Sequence, residues 1–308
     1  MFPKPVRILL QTTIVPTADD WSIARFSLLA RHLASLPSVS RATASGSAAV
    51  DAANAPLMEV VARDRATPAG VDDPVLARLD ESDFDELWLF AVDVGNGLTA
   101  NECAAICRFR ARGGGMLVTR DHMDLGSSLC SLGGLARAHY FHTRNADPDD
   151  SRHQNDDRET SSISWPNYHS GANGDFQNVV AVQPGHPLLR DRNEPDGVLR
   201  YLPSHPHEGG VGVPPDDPSA SVIATGASIV TGRPFNLIVA FEPGVGGRPG
   251  AGIAESSFHH FCDYNWDTSM GRPSFVTEPP GDAMKREPAA RRSIETYVEN
   301  VARWLAGP

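Results

Sequence analysis

Cysteine is scarce in this chain. Four occur in 308 residues, and no two of them form a Cys-x-x-Cys pair. A disulfide framework or a cysteine-zinc centre normally shows more cysteines or a second closely spaced pair, so neither is expected. Cys103 and Cys107 stand at helical spacing in an apolar pattern, which predicts reduced residues packed in a core.

The chain also lacks a long apolar run and an excess of basic residues. No stretch approaches the ~20 apolar residues that span a bilayer, and no signal-peptide core precedes the first predicted strand. Lys and Arg number 27 against 38 Asp and Glu, which gives a net charge of −11 at pH 7. A surface of this sign disfavours nucleic acid and membranes as partners. These features predict a cytoplasmic protein whose partner is a small-molecule ligand.

Apolar strand-like runs alternate with helical patterns. In the first part of the chain they fall at 6–14 (strand), 21–36 (helix), 39–44 (a weaker second unit), 86–92 (strand), 99–112 (helix) and 116–119 (strand). Further strand-like runs follow at 176–182, 198–202, 221–225, 235–241 and 252–258, before an amphipathic helix at 288–306. Strands buried on both faces and alternating with helices are typical of a parallel sheet covered by helices. We therefore predict one α/β domain over residues 1–308 with a doubly wound, mostly parallel, flavodoxin-like sheet and a C-terminal helix.

A polar insertion at 143–175 interrupts this alternation. It is rich in acidic side chains and poor in aliphatic ones. Three interpretations stay open: a solvated surface loop, a lid, or a contact between subunits of a homo-oligomer. Trp165, Tyr168 and His169 favour docking of its far end.

Polar residues follow several predicted strands. In open α/β sheets ligands bind beyond the carboxyl ends of the strands. Candidate ligand-binding residues are therefore Asp93 and Asn96 after one strand and Arg120-Asp121-His122 after the next. The latter three can bind an anion, accept a proton and shuttle one. No glycine-rich phosphate fingerprint follows the first strand, so no dinucleotide cofactor is expected.

The most specific local motif is Pro203-Ser-His-Pro-His-Glu-Gly-Gly210. The prolines hold it extended, so His205 and His207 should lie roughly on one side with Glu208 opposed. A divalent metal held by His205 and His207, a metal-free catalytic or binding site, and a loop whose histidines bond to backbone all remain open.

A second histidine-rich segment is Glu255-Ser-Ser-Phe-His-His260. Strand alternation places Glu255 and His259 on one face and His260 on the other. The terminal residue reaches a crevice more easily, which ranks His260 slightly above His259. Whichever of the two histidines does not face the site is expected to be a core histidine that is hydrogen-bonded to a carbonyl.

Three segments form a pattern together: the glycine-rich turn and strand at 113–120, the late strand whose terminal histidine falls on His260, and the helix pattern Asn300-x-x-x-Trp304. This pattern resembles the class I glutamine-amidotransferase-like superfamily, and within it the trehalose-utilisation (ThuA-like) branch. The resemblance implies the same fold. Its amidotransferases carry a nucleophilic cysteine on the turn after the strand at 116–119, where this chain has Arg120-Asp121-His122. Cysteine-dependent glutamine hydrolysis is therefore not expected.

These patterns favour an enzyme with hydrolase-type acid/base chemistry on a small polar molecule, carbohydrate-like ones included. The candidate catalytic residues are His205, His207, Glu208, His260, His122 and Arg120, the last to hold negative charge. The candidate substrate-binding residues are Asp121, Asp93, Asn96, His259 and Glu255. A non-catalytic binding protein and an assembly subunit of the same fold are the alternatives.

Overall fold

Strands and helices alternate through most of the computed structural model, which describes residues 4–16, 21–37, 57–156, 160, 162–274 and 276–307. The strands in these ranges are β1 (Arg7–Thr12), β2 (Glu59–Arg63), β3 (Glu86–Phe90), β4 (Gly115–Thr119), β5 (His139–Tyr140), β6 (Phe176–Asn178), β7 (Val180–Ala181), β8 (Tyr201–Pro203), β9 (Gly210–Val211), β10 (Ala220–Ala227), β11 (Pro234–Phe241) and β12 (Gly252–Glu255). The α-helices are α1 (Ser27–Ser35), α2 (Ala100–Ala111), α3 (Asp263–Trp266), α4 (Ala283–Arg286) and α5 (Pro288–Leu305).

Eight of these strands form one mostly parallel sheet in the order β2-β1-β3-β4-β12-β11-β10-β7. The first five run parallel, and β11, β10 and β7 extend the sheet by antiparallel pairing. The chain moves outward from β1 to β2 and then crosses back to β3, so the strand order reverses beside β1. The sheet and the C-terminal helix confirm the predicted α/β, flavodoxin-like fold, and the reversal marks where a ligand crevice is expected.

Both faces of the central strands are buried. On β3, Trp88 and Phe90 join the core that includes α1 and α5, whereas Leu87 and Leu89 join the core that includes α2. Each such side chain contributes about 1.5–3 kcal/mol on burial. Double burial explains why these strands appear in the sequence as continuous apolar runs rather than alternating ones.

The unit formed by α2 and β4 illustrates how local sequence sets element boundaries. Thr99 begins the helix with a capping box: its Oγ1 accepts a hydrogen bond from Glu102 N at 3.2 Å, and Glu102 Oε2 accepts one from Thr99 N at 2.8 Å. Gly113, at φ +109, ends the helix, and a Cβ on Gly115 would lie 2.4 Å from the carbonyl oxygen of Leu305. Glycine therefore lets β4 start against the end of α5.

Several sequence-based boundaries differ from the structure. The run predicted at 252–258 ends as a strand at Glu255 and continues as a 3-10 turn over Phe258–Phe261. The run at 176–182 is divided between β6, which pairs with β8, and β7, which joins the main sheet. The predicted unit at 39–44 lies outside the described residues, and β2 was not predicted.

The cysteines are free, as expected, but they are not all core residues. Cys103 is buried in α2, whereas Cys107 is exposed. Cys107 lies on the outer side of α2 because the opposite face of the helix, with Cys103, Ile106 and Phe109, packs against the sheet. No helix in the described ranges has both the length and the apolar character required to cross a bilayer.

Candidate active site

A cavity of about 510 Å³ lies at the carboxyl edge of the parallel strands. Segments that follow four of these strands contribute to its wall: Ile14 after β1, Val92 after β3, Asp121 after β4 and His259 after β12. This is the edge that the strand-order rule nominates. The loop at 203–210 and part of the 143–175 insertion line the same cavity.

The turn after β4 directs two consecutive side chains in opposite directions. The Arg120 guanidinium donates hydrogen bonds to the backbone oxygens of Tyr140 and Met123, and it lies 4.1 Å over the ring of Phe141. Asp121 faces the cavity and is 3% exposed. Arg120 therefore does not reach the cavity, and the expectation that it holds a substrate's negative charge is wrong for this geometry.

A glycine permits the close approach that closes this turn against the histidine loop. A Cβ on Gly209 would lie 2.6 Å from Arg120 Cδ and 2.7 Å from the carbonyl oxygen of Asp121. Any larger residue would force the 203–210 loop away from the turn. Gly209 thus sets the spacing between Asp121 and the histidines of that loop.

His205 is held in one tautomer by two asparagines. Asn265 Nδ2 donates to the backbone oxygen of Ser204 at 2.9 Å and to Asn173 Oδ1 at 3.0 Å. Asn173 Oδ1 is therefore an acceptor, and it receives the Nδ1 proton of His205 at 2.8 Å. In neutral His205 this leaves Nε2 with a lone pair and no proton. Burial, together with neighbouring His259, lowers the pKa of His205 well below its usual range, so the neutral form prevails at pH 7.

His205, His259 and Asp121 converge in the cavity. The two imidazole rings stack with centroids 3.4 Å apart and planes 11° apart. His205 Nε2 is 3.6 Å from Asp121 Oδ1, and His259 Nε2 is 3.5 Å from Asp121 Oδ2. One ligand atom from each residue can be chosen so that all lie within 4.8 Å of one another. Two histidines and one carboxylate are a ligand set for a divalent metal, and because the two rings are nearly parallel, one of them would rotate so that both nitrogen lone pairs point at one ion.

The electrostatics of this trio keep the carboxylate ionised. Burial alone would raise the pKa of Asp121, but the nearby His122 and His259 outweigh it and hold the pKa well below its usual range. Each of the three convergent residues is less than 5% exposed. Asp121 Oδ1 also accepts a hydrogen bond from His122 N at 2.8 Å, and on its other side the ionised carboxylate faces the His205 lone pair, an arrangement that favours a cation between the two.

His207, His122 and Glu278 lie beside the trio. The His207 ring centroid is 5.4 Å from that of His205 and 5.4 Å from that of His122. His207 Nε2 is 3.7 Å from Glu278 Oε1, and His122 Nδ1 is 3.2 Å from Asp121 Oδ1. The structure thus brings together His205, His207, His122, Asp121 and His259 among the sequence candidates. Their chemical roles stay predictions.

His260 lies in a second, fully buried cluster instead of the cavity. Its Nε2 is 3.1 Å from Glu208 Oε1 and its Nδ1 is 2.8 Å from Glu255 Oε2. Glu208 also accepts hydrogen bonds from Ser256 Oγ at 2.7 Å and Gln177 Nε2 at 2.6 Å. We call Glu208, Glu255 and His260 the buried network. The ranking of His260 above His259 as the residue facing the site does not hold, because the chain leaves the strand at Glu255 and the 3-10 turn redirects both rings.

Asp93 and Asn96 are also outside the cavity wall. Asp93 Oδ1 accepts from Gly95 N at 2.8 Å and Ser128 N at 3.1 Å, and its Oδ2 accepts from Ser128 Oγ at 2.7 Å. Its carboxylate is therefore used to hold the loop after β3. Asn96 is exposed.

The far end of the 143–175 insertion is docked against the histidine loop. Tyr168 and Glu208 exchange backbone hydrogen bonds, and the Tyr168 ring stacks on Phe235 at 4.8 Å. Thr160, Ile163 and Asn173 of the insertion line the cavity. Sequence reasoning missed Asn173, Glu278 and Trp21 as cavity residues, since no spacing or composition signal links them to the histidines.

Comparisons with known proteins add fold similarities without an activity. No family model matches the chain, and no curated protein matches it. The chain is similar to the solved structure of a putative ThuA-like protein from Parabacteroides merdae ATCC 43184, with 12% identity, a TM-score of 0.44, and coverage of 99% of this chain and 91% of that chain.

Two further solved structures show similar values. A CTPS glutaminase domain of Trypanosoma brucei with bound acivicin has 12% identity, a TM-score of 0.43, and coverage of 96% of this chain and 94% of that chain. The mmIFT52 N-terminal domain has 12% identity, a TM-score of 0.43, and coverage of 83% and 88%. At these values the three structures assign neither a family nor an activity to this chain.

Proposed function

We propose that the cavity binds one divalent transition metal ion and uses it to hydrolyse a small molecule. Asp121, His205 and His259 are the proposed ligands. The sequence suggested His205 with His207 as the metal pair; the distances favour His259 and Asp121 as the partners of His205. Zn²⁺ suits this ligand set, which is also one that Fe²⁺ binds.

The observation that carries the proposal is the lone pair of His205 Nε2 facing Asp121 Oδ1 at 3.6 Å. Two electron-rich atoms face each other there, and the His205 proton is committed to Asn173 on the other side of the ring. Zinc bonds of ~2.0–2.2 Å at a tetrahedral angle separate two ligand atoms by about 3.4 Å. The separation of 3.6 Å between His205 Nε2 and Asp121 Oδ1 is close to this value, and a cation between the two atoms would turn the repulsion into attraction.

The chemistry follows from the ligand set and from His207. Held by these three residues, a metal would leave a position for water and would supply hydrolytic chemistry by lowering the pKa of that water to ~7. His207, whose ring centroid lies 5.4 Å from that of His205, would accept a proton during the reaction and deliver it to the leaving nitrogen or oxygen of the substrate.

The cavity wall supports a substrate that joins a polar group to an apolar body. Asp121, the histidines and Asn173 supply polar groups to the wall, and Trp21, Val92 and Phe258 are among its apolar residues. Its volume is in the range of small-molecule sites. The substrate we propose is accordingly less uniformly polar than a free sugar.

Metal analysis and a hydrolase screen test the proposal. Purified protein should hold about one equivalent of metal, lose it to a chelator, and recover both metal and hydrolysis on addition of Zn²⁺ or Fe²⁺. Asp121→Asn and His259→Ala should lose stoichiometric metal, whereas His32→Ala, a matched histidine control on α1, should retain it. Failure of the chelated protein to bind either ion, or binding that survives both ligand substitutions, would contradict the metal centre. Metal binding without hydrolysis would contradict the enzymatic role and leave a binding protein.

A further inference from the structure

The charges around the cavity are one-sided. Asp121 and Glu278 are its carboxylates, and no residue of the wall within the described ranges is a lysine or an arginine. Arg120 is turned into the protein interior, and the chain as a whole carries a net charge of −11. The long-range field of the chain therefore disfavours an anionic ligand and attracts a cationic one.

Glu278 is the carboxylate that the metal centre does not use. Its side chain is 38% exposed, and His207 Nε2 stands 3.7 Å away, which is too long for a hydrogen bond. Arg272 donates to the backbone oxygen of Glu278 at 2.6 Å, so it positions the segment. The Glu278 carboxylate therefore offers acceptor capacity to a molecule in the cavity.

The cavity wall combines this carboxylate with apolar side chains. Ile163 and Val276 approach from the two segments that flank the cavity, and Trp21 and Phe258 lie near His259. Apolar surface of this kind binds a hydrocarbon or aromatic body. A ligand that satisfies both features carries a positive charge and an apolar section.

We propose that the molecule bound here is a small amine. Its ammonium group pairs with Glu278, its apolar section packs against the wall that includes Trp21 and Ile163, and its hydrolysable group reaches the Asp121, His205 and His259 centre. This inference rests on the proposed metal-dependent function and specifies its substrate class. It predicts weaker binding of carboxylate-bearing substrates of the same size.

Three hydroxamic acids of equal chain length test the charge preference separately from turnover. Hydroxamates chelate a catalytic metal, so 4-aminobutanohydroxamic acid, butanohydroxamic acid and succinic monohydroxamic acid differ mainly in the charge at the far end. Binding to the zinc-loaded protein is measured by calorimetry at low salt. We expect the amine to bind about fivefold more tightly than the neutral compound, the upper end for a charge pair that keeps partial access to solvent, and the carboxylate to bind most weakly.

Charge variants test whether Glu278 causes the tighter binding of the amine. Glu278→Gln should bring the amine-to-neutral affinity ratio close to one, and Glu278→Lys should reverse the order of amine and carboxylate. Glu81→Gln, which removes an equivalent charge far from the cavity, should leave the ratio unchanged. Binding of all three compounds within twofold by the zinc-loaded wild type would overturn the amine preference and leave the metal centre standing. Binding of none of them would overturn the proposed metal-dependent function and this inference with it.

Discussion

Replacement of His260 by glutamine tests how the buried network is stabilised. His260, Glu208 and Glu255 all have zero exposure, and the imidazole contacts both carboxylates at 3.1 and 2.8 Å. Both ring nitrogens face carboxylate oxygens, and only the imidazolium form can donate a hydrogen bond to each of them. Glutamine fills a similar volume but supplies no charge, so the two carboxylates lose their shared cation. Removing one partner of a buried ion pair costs about 3–5 kcal/mol, and we expect a loss of unfolding free energy of that size.

The pH dependence gives an independent signature. Burial alone would lower the pKa of His260, but the adjacent Glu208 and Glu255 outweigh it and raise the pKa to about 10. An unfolded histidine titrates near ~6.5. The native state therefore holds this proton more tightly, so the stabilisation is complete below about pH 6.5 and is lost as the pH rises towards 10. The slope reaches at most about 1.4 kcal/mol per pH unit.

Urea unfolding followed by tryptophan fluorescence at pH 6, 7, 8 and 9 measures both effects. The quantity to compare is the difference in unfolding free energy between wild type and His260→Gln at each pH. Burial also raises the pKa of thiols such as Cys262, so both proteins lose some stability at alkaline pH for that reason, and the difference cancels this loss. The difference should shrink as the pH increases. His207→Gln, a histidine substitution in the cavity, should cost less than about 1 kcal/mol. A His260→Gln penalty below about 1 kcal/mol that does not vary with pH would refute the charged network.

Three further outcomes follow from particular contacts. Gly209→Ala should lower the unfolding free energy in urea by about 1–3 kcal/mol and weaken metal binding, because the new Cβ lies 2.6 Å from Arg120 Cδ. Gly185→Ala, where a Cβ has no atom within 4 Å, should be nearly neutral, and equal effects of the two substitutions would contradict the close packing. Thr99→Ala should cost about 1 kcal/mol through loss of the capping box of α2, and Thr99→Ser should restore most of it. No cysteine should react rapidly with iodoacetamide at pH 6, because burial raises the pKa of Cys103 to about 11 and also raises that of Cys130 and Cys262. Partial desolvation of the sulfur, which donates to the Leu132 oxygen at 3.0 Å, raises the pKa of Cys107 although that residue is exposed. Stoichiometric labelling of one thiol with loss of activity would disprove this.

The sheet was predictable where its strands are buried on both faces. β1, β3, β4 and α2 appear in the sequence within a few residues of their observed bounds, because double burial produces uninterrupted apolar runs and Thr99 and Gly113 mark the helix ends. β2 was missed. Its residues are partly or fully exposed on an outer strand, so its pattern carries no continuous apolar signal.

The edge of the sheet that carries the site was predictable, but the direction of each side chain was not. The position of Asp121 follows from the strand that precedes it. The choice between His259 and His260 depends on whether the strand continues past Glu255, and that is decided by tertiary bonds such as the one from Phe258 N to the Arg120 oxygen at 2.9 Å. Glu278 and Asn173 come from distant loops whose docking has no local sequence signature.

The same two segments supply residues to both the cavity and the buried network. In the loop at 203–210, His205 and His207 face the cavity while Glu208 enters the network; at 255–260, His259 faces the cavity while Glu255 and His260 enter the network. Gly209 N also donates to the Ser256 oxygen at 3.0 Å, which ties the two segments together. The network therefore fixes the backbone on which His205 and His259 stand, which limits the change needed for ion binding to rotation of their side chains. His260→Gln should accordingly weaken metal binding as well as folding, although His260 is no ligand. Unchanged metal affinity in a folded His260→Gln protein would show that the two clusters are mechanically independent.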